Sequence, residues 1–331
     1  MAMRGCKTKT LLLCFVLLFV FSTSTVHASQ STKSFDNRPS SWLQQISDST
    51  AKQSYQGVFV YRCDAQLVAM KIIHAADESN GHEKLISLNG PAHEIVQNGH
   101  SITSSLFRGK RSMARGGRNQ SIFGPFEKIL DAHYKIVEVG EDRIANRPTE
   151  VFEIQPKDEF RYGFLIWVDV ETGIVLRSDM ADEAGKVIEQ VMFIDVEMLA
   201  DHEAESFVGQ VDVGAESDEE ANAGPKTMPV TDTKWQVAKM PSGFQLSERY
   251  MREGVVTTGG IQEQLVFTDG LASVSVFIEP RHETEEPMLG QTRVGAVNVY
   301  GKVVSNHQIT VVGDVPKATV EYIVGSLSLQ R

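Results

Sequence analysis

The chain has 331 residues, 41% of them hydrophobic and 23% charged, enough for roughly two domains of about 150 residues each. Its formal net charge of −11 at pH 7 argues against nucleic acid as a partner, whose backbone calls for a basic surface. Three cysteines exclude a disulfide-stapled scaffold, so stability has to come from burial.

The first 28 residues read as a secretory signal peptide. Arg4, Lys7 and Lys9 make a positive start, Leu11 to Phe21 an apolar run of eleven residues, and Val26-His27-Ala28 a small-x-small cleavage site. A membrane anchor would need about 20 apolar residues, and this run stops at Ser22. Export with cleavage near Ala28 is expected, and no later stretch is long enough to span a bilayer. Cleavage removes Cys6, Cys14 and three positive charges; it leaves 29 basic and 43 acidic side chains, about −14 in all, and one thiol, Cys63. Against that acidity a local basic cluster is informative.

Ser40 or Ser41 can cap a short amphipathic helix from Trp42, with Leu43 and Ile46 on one face. From Gln56 the pattern switches to period two, with Val58 and Val60 against Phe59 and Tyr61. Further strands are predicted at Leu67–Ile73, Leu85–Leu88, Ala92–Val96 and Ser101–Leu106, with hairpin signals at Asn89-Gly90 and Asn98-Gly99. Arg108 to Arg118, with five basic residues and three glycines, breaks this rhythm and reads as an exposed loop. Gly124-Pro125 opens a short helix through Leu130, and strands return at Tyr134–Val139 and Val151–Ile154.

Phe160 to Asp195 then reads as a three-strand meander, turning at Glu171-Thr172-Gly173 and Asp182-Glu183-Ala184-Gly185. In its first strand Tyr162, Phe164, Ile166 and Val168 alternate with Gly163, Leu165 and Trp167, so both faces are apolar. A sheet with one wet face would alternate apolar and polar residues. Helices of the same chain, or a ligand held in a concave sheet, must cover the second face. Asp201 to Pro225 carries eight acidic side chains and no Lys or Arg, the composition of a flexible linker. Strands near Trp235, Gln264–Phe267, Leu271–Ile278, Val294–Tyr300, Lys302–Val304 and Ile309–Val312, with a closing helix after Asp314 and Pro316, make a second domain.

The fold class expected is α+β. Residues 35–200 form a large, curved, antiparallel half-barrel covered by helices, 201–230 an acidic linker, and 231–331 a small α+β domain. No nucleophile elbow, metalloprotease helix, phosphate-cradling loop or Cys-x-x-Cys is present, and the histidines stand singly, so no catalytic residue, metal or cofactor is assigned. The basic segment is the exception: Arg108, Arg111 and Arg115 suit phosphate or carboxylate groups, of a lipopolysaccharide, a phospholipid or an acidic peptide, or simply balance local charge.

Three stretches, RIANRPTEVFEIQPKDEFRYGFLIWVDVETGIVLRSDMADEAGKVIEQVMF (143–193), VFTDGLASVSVFIEP (266–280) and VVGDVPKATVEYIVGSL (311–327), resemble the RseB/MucB family of periplasmic sigma-E regulatory proteins. YQGVFVY (55–61), the signal peptide and the acidic linker fall where that family has them. The resemblance implies a lipoprotein-carrier-like half-barrel plus a smaller domain, in the periplasm. It implies a non-enzymatic regulator that binds the periplasmic part of a membrane-spanning anti-sigma factor, blocks its cleavage by the site-one protease, and is displaced by lipopolysaccharide or lipid. The basic segment matches no family motif.

On this reading Leu165 and Trp167 face an acyl chain, or a covering helix fills the same space. Arg161 and Tyr162, at the expected rim, are candidates for polar contacts to a peptide or for a structural salt bridge. Asp269, Leu271 and Phe277 make either a tight turn and core strand or a partner contact across an inter-domain cleft. Partners expected are the anti-sigma factor and lipopolysaccharide or phospholipid acyl chains, with homodimerisation left open. A periplasmic lipid or lipoprotein carrier is the alternative, which a half-barrel alone would serve.

Overall fold

The structure is a computed structural model that describes residues 38–76, 82–90, 93–98, 101–106, 109–113, 127–209, 228–229, 235–253, 261–281 and 286–329. The signal peptide, Arg108 and Arg115 lie outside these residues. Helix α1 (Pro39–Ala51) leads into β1 (Tyr55–Cys63), β2 (Gln66–Ala75), β3 (His82–Ser87), β4 (His93–Asn98), β5 (Ser101–Leu106) and β6 (Gly109–Met113), each antiparallel to the one before. After α2 (Glu127–His133) come β7 (Tyr134–Ile144), β8 (Arg147–Pro156), β9 (Gly163–Asp169), β10 (Val175–Ala181) and β11 (Val187–Met198). Strand β11 pairs with β1, so the two runs merge into one eleven-stranded sheet in the order β6-β5-β4-β3-β2-β1-β11-β10-β9-β8-β7. Its edges, β6 and β7, are not paired with each other, so the barrel is not closed.

Both faces of this sheet are buried where the sequence is apolar on both sides. Tyr55, Ile72, Ile144, Val151, Trp167, Ile174, Leu176 and Phe193 form one cluster, drawn entirely from strands and their turns. Curl lets them meet: Cα atoms of β7 and β11 come within 8 Å although three strands separate them in the sheet. On the opposite side of β8, Phe152 packs under the Trp42 ring of α1 at 4.7 Å between centroids, and Ile154 and Leu130 have no exposure. Trp167 therefore touches its own sheet, while the helix from Trp42 covers the alternate face.

Helix α3 (Asp201–Gly209) follows, and then β12 (Met228–Pro229), β13 (Trp235–Val237), β14 (Gln245–Glu253), β15 (Ile261–Thr268), β16 (Ser273–Pro280), β17 (Gly290–Val294), β18 (Val297–Val304), β19 (His307–Gly313), α4 (Lys317–Ser326) and β20 (Leu327–Leu329). A seven-stranded antiparallel sheet runs β12-β14-β15-β16-β19-β18-β17, and β13 pairs with β20. Val320, Ile323 and Val324 of α4 press on Leu265, Val274, Val276, Ile309 and Val311, burying a second, separate core.

Three expectations are corrected. Gly109–Met113, inside the segment read as an exposed loop, is edge strand β6, because alternating partners on β5 outweigh the segment's charge. The flexible linker does not begin at Asp201: α3 forms there, with Ala204 fully buried against Ile73 and Ala75. Asp201 and Glu203 in its first turn suit the positive end of the helix dipole. Neither Ser40 nor Ser41 caps the first helix, which starts at Pro39; instead Asp131 of α2 accepts from the Ser40 backbone N–H at 2.9 Å.

His74 on β2 is buried, stacked on Tyr55 at 5.2 Å, with both ring nitrogens lacking a hydrogen bond and Glu83 4.0 Å away. Burial lowers its pKa, so the folded state favours neutral imidazole. The unfolded chain takes up the proton first as pH falls below about 6.5, and stability present above that value is lost on acidification. Glu83, pushed upward by burial, opposes the trend, so the imidazole is isolated by comparing variants at each pH. His74→Leu should leave the thermal midpoint at pH 7.5 nearly unchanged and flatten its fall toward pH 5.5; parallel pH curves for both proteins would show that His74 does not titrate on unfolding.

Candidate binding site

The β8–β9 connection carries an arginine whose side chain is wholly buried where the two sheets meet. Arg161 Nε donates to Asp269 Oδ2 at 2.5 Å, Nη2 to the Ser242 carbonyl at 2.6 Å, and Nη1 to Asp158. Asp269, at the β15–β16 turn, also accepts from the Tyr134 hydroxyl at 2.9 Å and from the backbone N–H groups of Leu271 and Ala272. The rings of Phe244 and Tyr134 flank the guanidinium, 4.8 and 5.7 Å from its carbon. Burial is the largest influence on Arg161 and lowers its pKa, but Asp269, Tyr134 and Asp158 together outweigh it, so the net shift is upward. Burial, then Asp269, pushes the Tyr134 hydroxyl well up.

The chain makes room for this contact at Gly243. Its φ of +94° suits glycine, and a Cβ there would come within 2.6 Å of His133 and 2.7 Å of Arg161. The junction continues through Asn298, which donates to the Tyr162 hydroxyl and the Val315 carbonyl, and through Thr319, which donates to the Phe160 carbonyl. Asp64, beyond β1, accepts from the Gly295 N–H at 3.0 Å.

Beside this junction lies a hollow of about 670 Å³. Its position follows from residue size. Along one face of β9, Trp167 is packed in the core and Leu165 stands at its margin, but the next position is Gly163. Gly163 pairs with Ala181, and Ala181 with Val187, so three small or short side chains lie side by side and leave space. Six carboxylates line the hollow (Glu153, Asp158, Glu159, Asp179, Asp182, Glu183) against Lys157 and the inward-turned Arg161. Four of them are engaged: Glu153 by Gln155, Asp158 by Arg161, Asp179 by Arg177 and Gln190, and Asp182 by the backbone of its own turn. Glu159 and Glu183 are exposed and make no ion pair among the described residues.

The sequence candidates separate accordingly. Arg161 and Asp269 meet one another with no exposed side-chain surface, although Arg161 borders the hollow; Tyr162 is buried beside them on Asn298. Leu271 is half-buried in the Asp269 turn, and Phe277 half-buried on the face of β16 opposite its core residues Val274, Val276 and Ile278. Leu165 edges the hollow, whereas Trp167 is enclosed: its indole N–H donates to Asp142 at 3.0 Å, and Arg177 lies 4.0 Å over its ring. The Arg143 N–H and this indole hold the Asp142 carboxyl below its usual range. Arg111 falls in β6. Sequence reasoning missed Tyr134, Asp158, Ser242 and Gly243; only the turn at Pro241-Ser242-Gly243 carried a signal.

The profile of the MucB/RseB N-terminal domain matches residues 38–211, and that of the MucB/RseB C-terminal domain matches 229–328. The chain is 31% identical to the sigma factor AlgU regulatory protein MucB of Pseudomonas aeruginosa, over 94% of this chain and 96% of that protein. It is 25% identical to the sigma-E factor regulatory protein RseB of Escherichia coli, over 85% and 87%. Among solved structures, the Pseudomonas aeruginosa MucA/MucB complex matches with a TM-score of 0.68 and 27% identity, covering 88% of this chain and 99% of that one. A crystal structure of MucB in complex with MucA(peri) matches with a TM-score of 0.65, also at 27% identity, covering 88% and 99%. With both domain profiles matched in order across most of its length, the chain belongs to the MucB/RseB family, whose relatives here are named as regulators of sigma factors rather than as enzymes.

Proposed function

We propose that this protein is a periplasmic negative regulator of a sigma-E-type envelope stress response. It binds the periplasmic segment of a membrane-spanning anti-sigma factor, shields that segment from the site-one protease, and is released by lipid or lipopolysaccharide. The observation that carries this reading is the match, along 88% of the chain, with MucB in its complex with MucA. The charged, apolar and small-residue blocks of the first 28 residues support export. For the lipid step, Trp167 leaves no open apolar wall, but the margin at Leu165 does; each methylene buried there contributes about 0.8 kcal/mol. Phosphate groups would be repelled by the carboxylates of the hollow and suited by Arg108, Arg111 and Arg115.

Shielding requires a surface of fixed shape, which the Arg161–Asp269 pair supplies by locking one sheet to the other. Arg161→Met leaves Asp269 buried without a counter-charge and should lower the unfolding free energy by about 3–5 kcal/mol. Arg161→Met/Asp269→Asn should recover part of that loss; urea denaturation of the two variants and the parent measures both values, and an unchanged midpoint for the single variant would mean the pair is dispensable. The purified protein should retain the periplasmic domain of its organism's anti-sigma factor on a column and slow that domain's cleavage by the site-one protease. Adding lipopolysaccharide should restore the cleavage rate. Retention of lipoproteins but no anti-sigma domain would replace this reading with the carrier.

A further inference from the structure

The hollow at Gly163 has the chemistry of a receptor for a cationic side chain. Its floor is short and uncharged at Gly163, Ala181 and Val187, Leu165 bounds it, and its walls carry the six carboxylates. A lysine or arginine is amphipathic in the same sense: the aliphatic stem lies along apolar surface while the charged head reaches polar partners. Glu159 and Glu183, from the connections on either side, make no ion pair among the described residues, and Lys157, which also lines the hollow, donates to the Asp131 carbonyl. The volume falls in the range of ordinary ligand clefts, room for a few side chains. An anionic headgroup is disfavoured by the field of the walls.

We infer that the hollow seats a lysine- or arginine-bearing, otherwise apolar segment of an extended polypeptide, its cationic head against Glu159 and Glu183. The assignment of a polypeptide occupant rests on the regulatory reading above; the requirement for positive charge rests on the hollow alone. Because Asp158 lines the hollow and also bonds Arg161, the occupant lies against the residues that join the two sheets.

The test uses the exported chain and two fluorescein-labelled twelve-residue peptides, alternating Lys-Leu and alternating Glu-Leu, read by fluorescence anisotropy. The Lys-Leu peptide should bind, more weakly as salt rises, and the Glu-Leu peptide should not. Glu159→Lys/Glu183→Lys should weaken Lys-Leu binding about tenfold. Glu138→Lys/Glu141→Lys on β7, an exposed pair that changes net charge equally, should leave it within about twofold. Ala181→Leu, which fills the floor without altering charge, should also weaken it, and thermal midpoints near that of the parent show that the variants fold. Equal weakening by the two charge-reversed pairs, equal affinity for the Glu-Leu peptide, or preferential binding of phosphatidylglycerol vesicles would each overturn the assignment. Retention of the anti-sigma domain, measured in parallel, separates the two readings. Undiminished retention by Glu159→Lys/Glu183→Lys removes the hollow as that partner's seat but spares the regulatory reading. Peptide binding by a parent that retains no anti-sigma domain does the reverse.

Discussion

Arg161 and Asp269 form an ion pair with no access to water, contributed by two sheets 108 residues apart in sequence. Removing a carboxylate and a guanidinium from water costs several kcal/mol each, and attraction repays this only when the remaining donors and acceptors are satisfied. Here they are, because Asp269 takes two backbone N–H groups on one oxygen and Tyr134 and Arg161 on the other. Such a contact tolerates little sliding. It defines one mutual placement of the half-barrel and the smaller sheet, and Gly243 is what leaves room for the Arg161 and His133 side chains at that contact.

The large sheet obeys a second constraint: it is apolar on both faces but open at both edges. Curl resolves one face by folding the strands onto their own side chains, and α1 with α3 resolves the other. Where side-chain size drops, at Gly163 and Ala181, this filling fails and a hollow results. Its acidic lining is part of a chain that is acidic overall, yet most of those carboxylates are held in place by specific donors rather than scattered over a solvated surface.

Much of this was legible in the sequence. Period-two patterning and Asn-Gly turns located most strands of the large sheet, and the doubly apolar strand from Gly163 to Val168 announced that both faces are covered. Other features were not legible, for physical reasons. The β7–β8 and β18–β19 hairpins turn at Ala145-Asn146 and Ser305-Asn306, each with both residues at positive φ, where the usual Asn-Gly signal is missing. Helix α3 has an acidic composition typical of a linker, yet Ala204 is buried on β2 and Asp201 accepts from the Ser54 hydroxyl. For Arg161 the sequence left a peptide contact and a structural salt bridge open, and for Asp269 a tight turn and a partner contact; it could not join the two, because a buried charge is identified only by its partner, and a partner more than a hundred residues away leaves no local trace.

The pairing of β1 with β11 has a consequence for the order in which the molecule is assembled. Strand β1 and its hairpin partner β2 are adjacent in the chain and can meet as soon as both exist, but Phe59 waits for Phe193, roughly 130 residues later, to cover its other side. Until then the central strand of the sheet is an edge, with its N–H and C=O groups bare and Tyr55 and Phe59 unshielded. The seam of the half-barrel is thus also the last part of the sheet that the growing chain can complete.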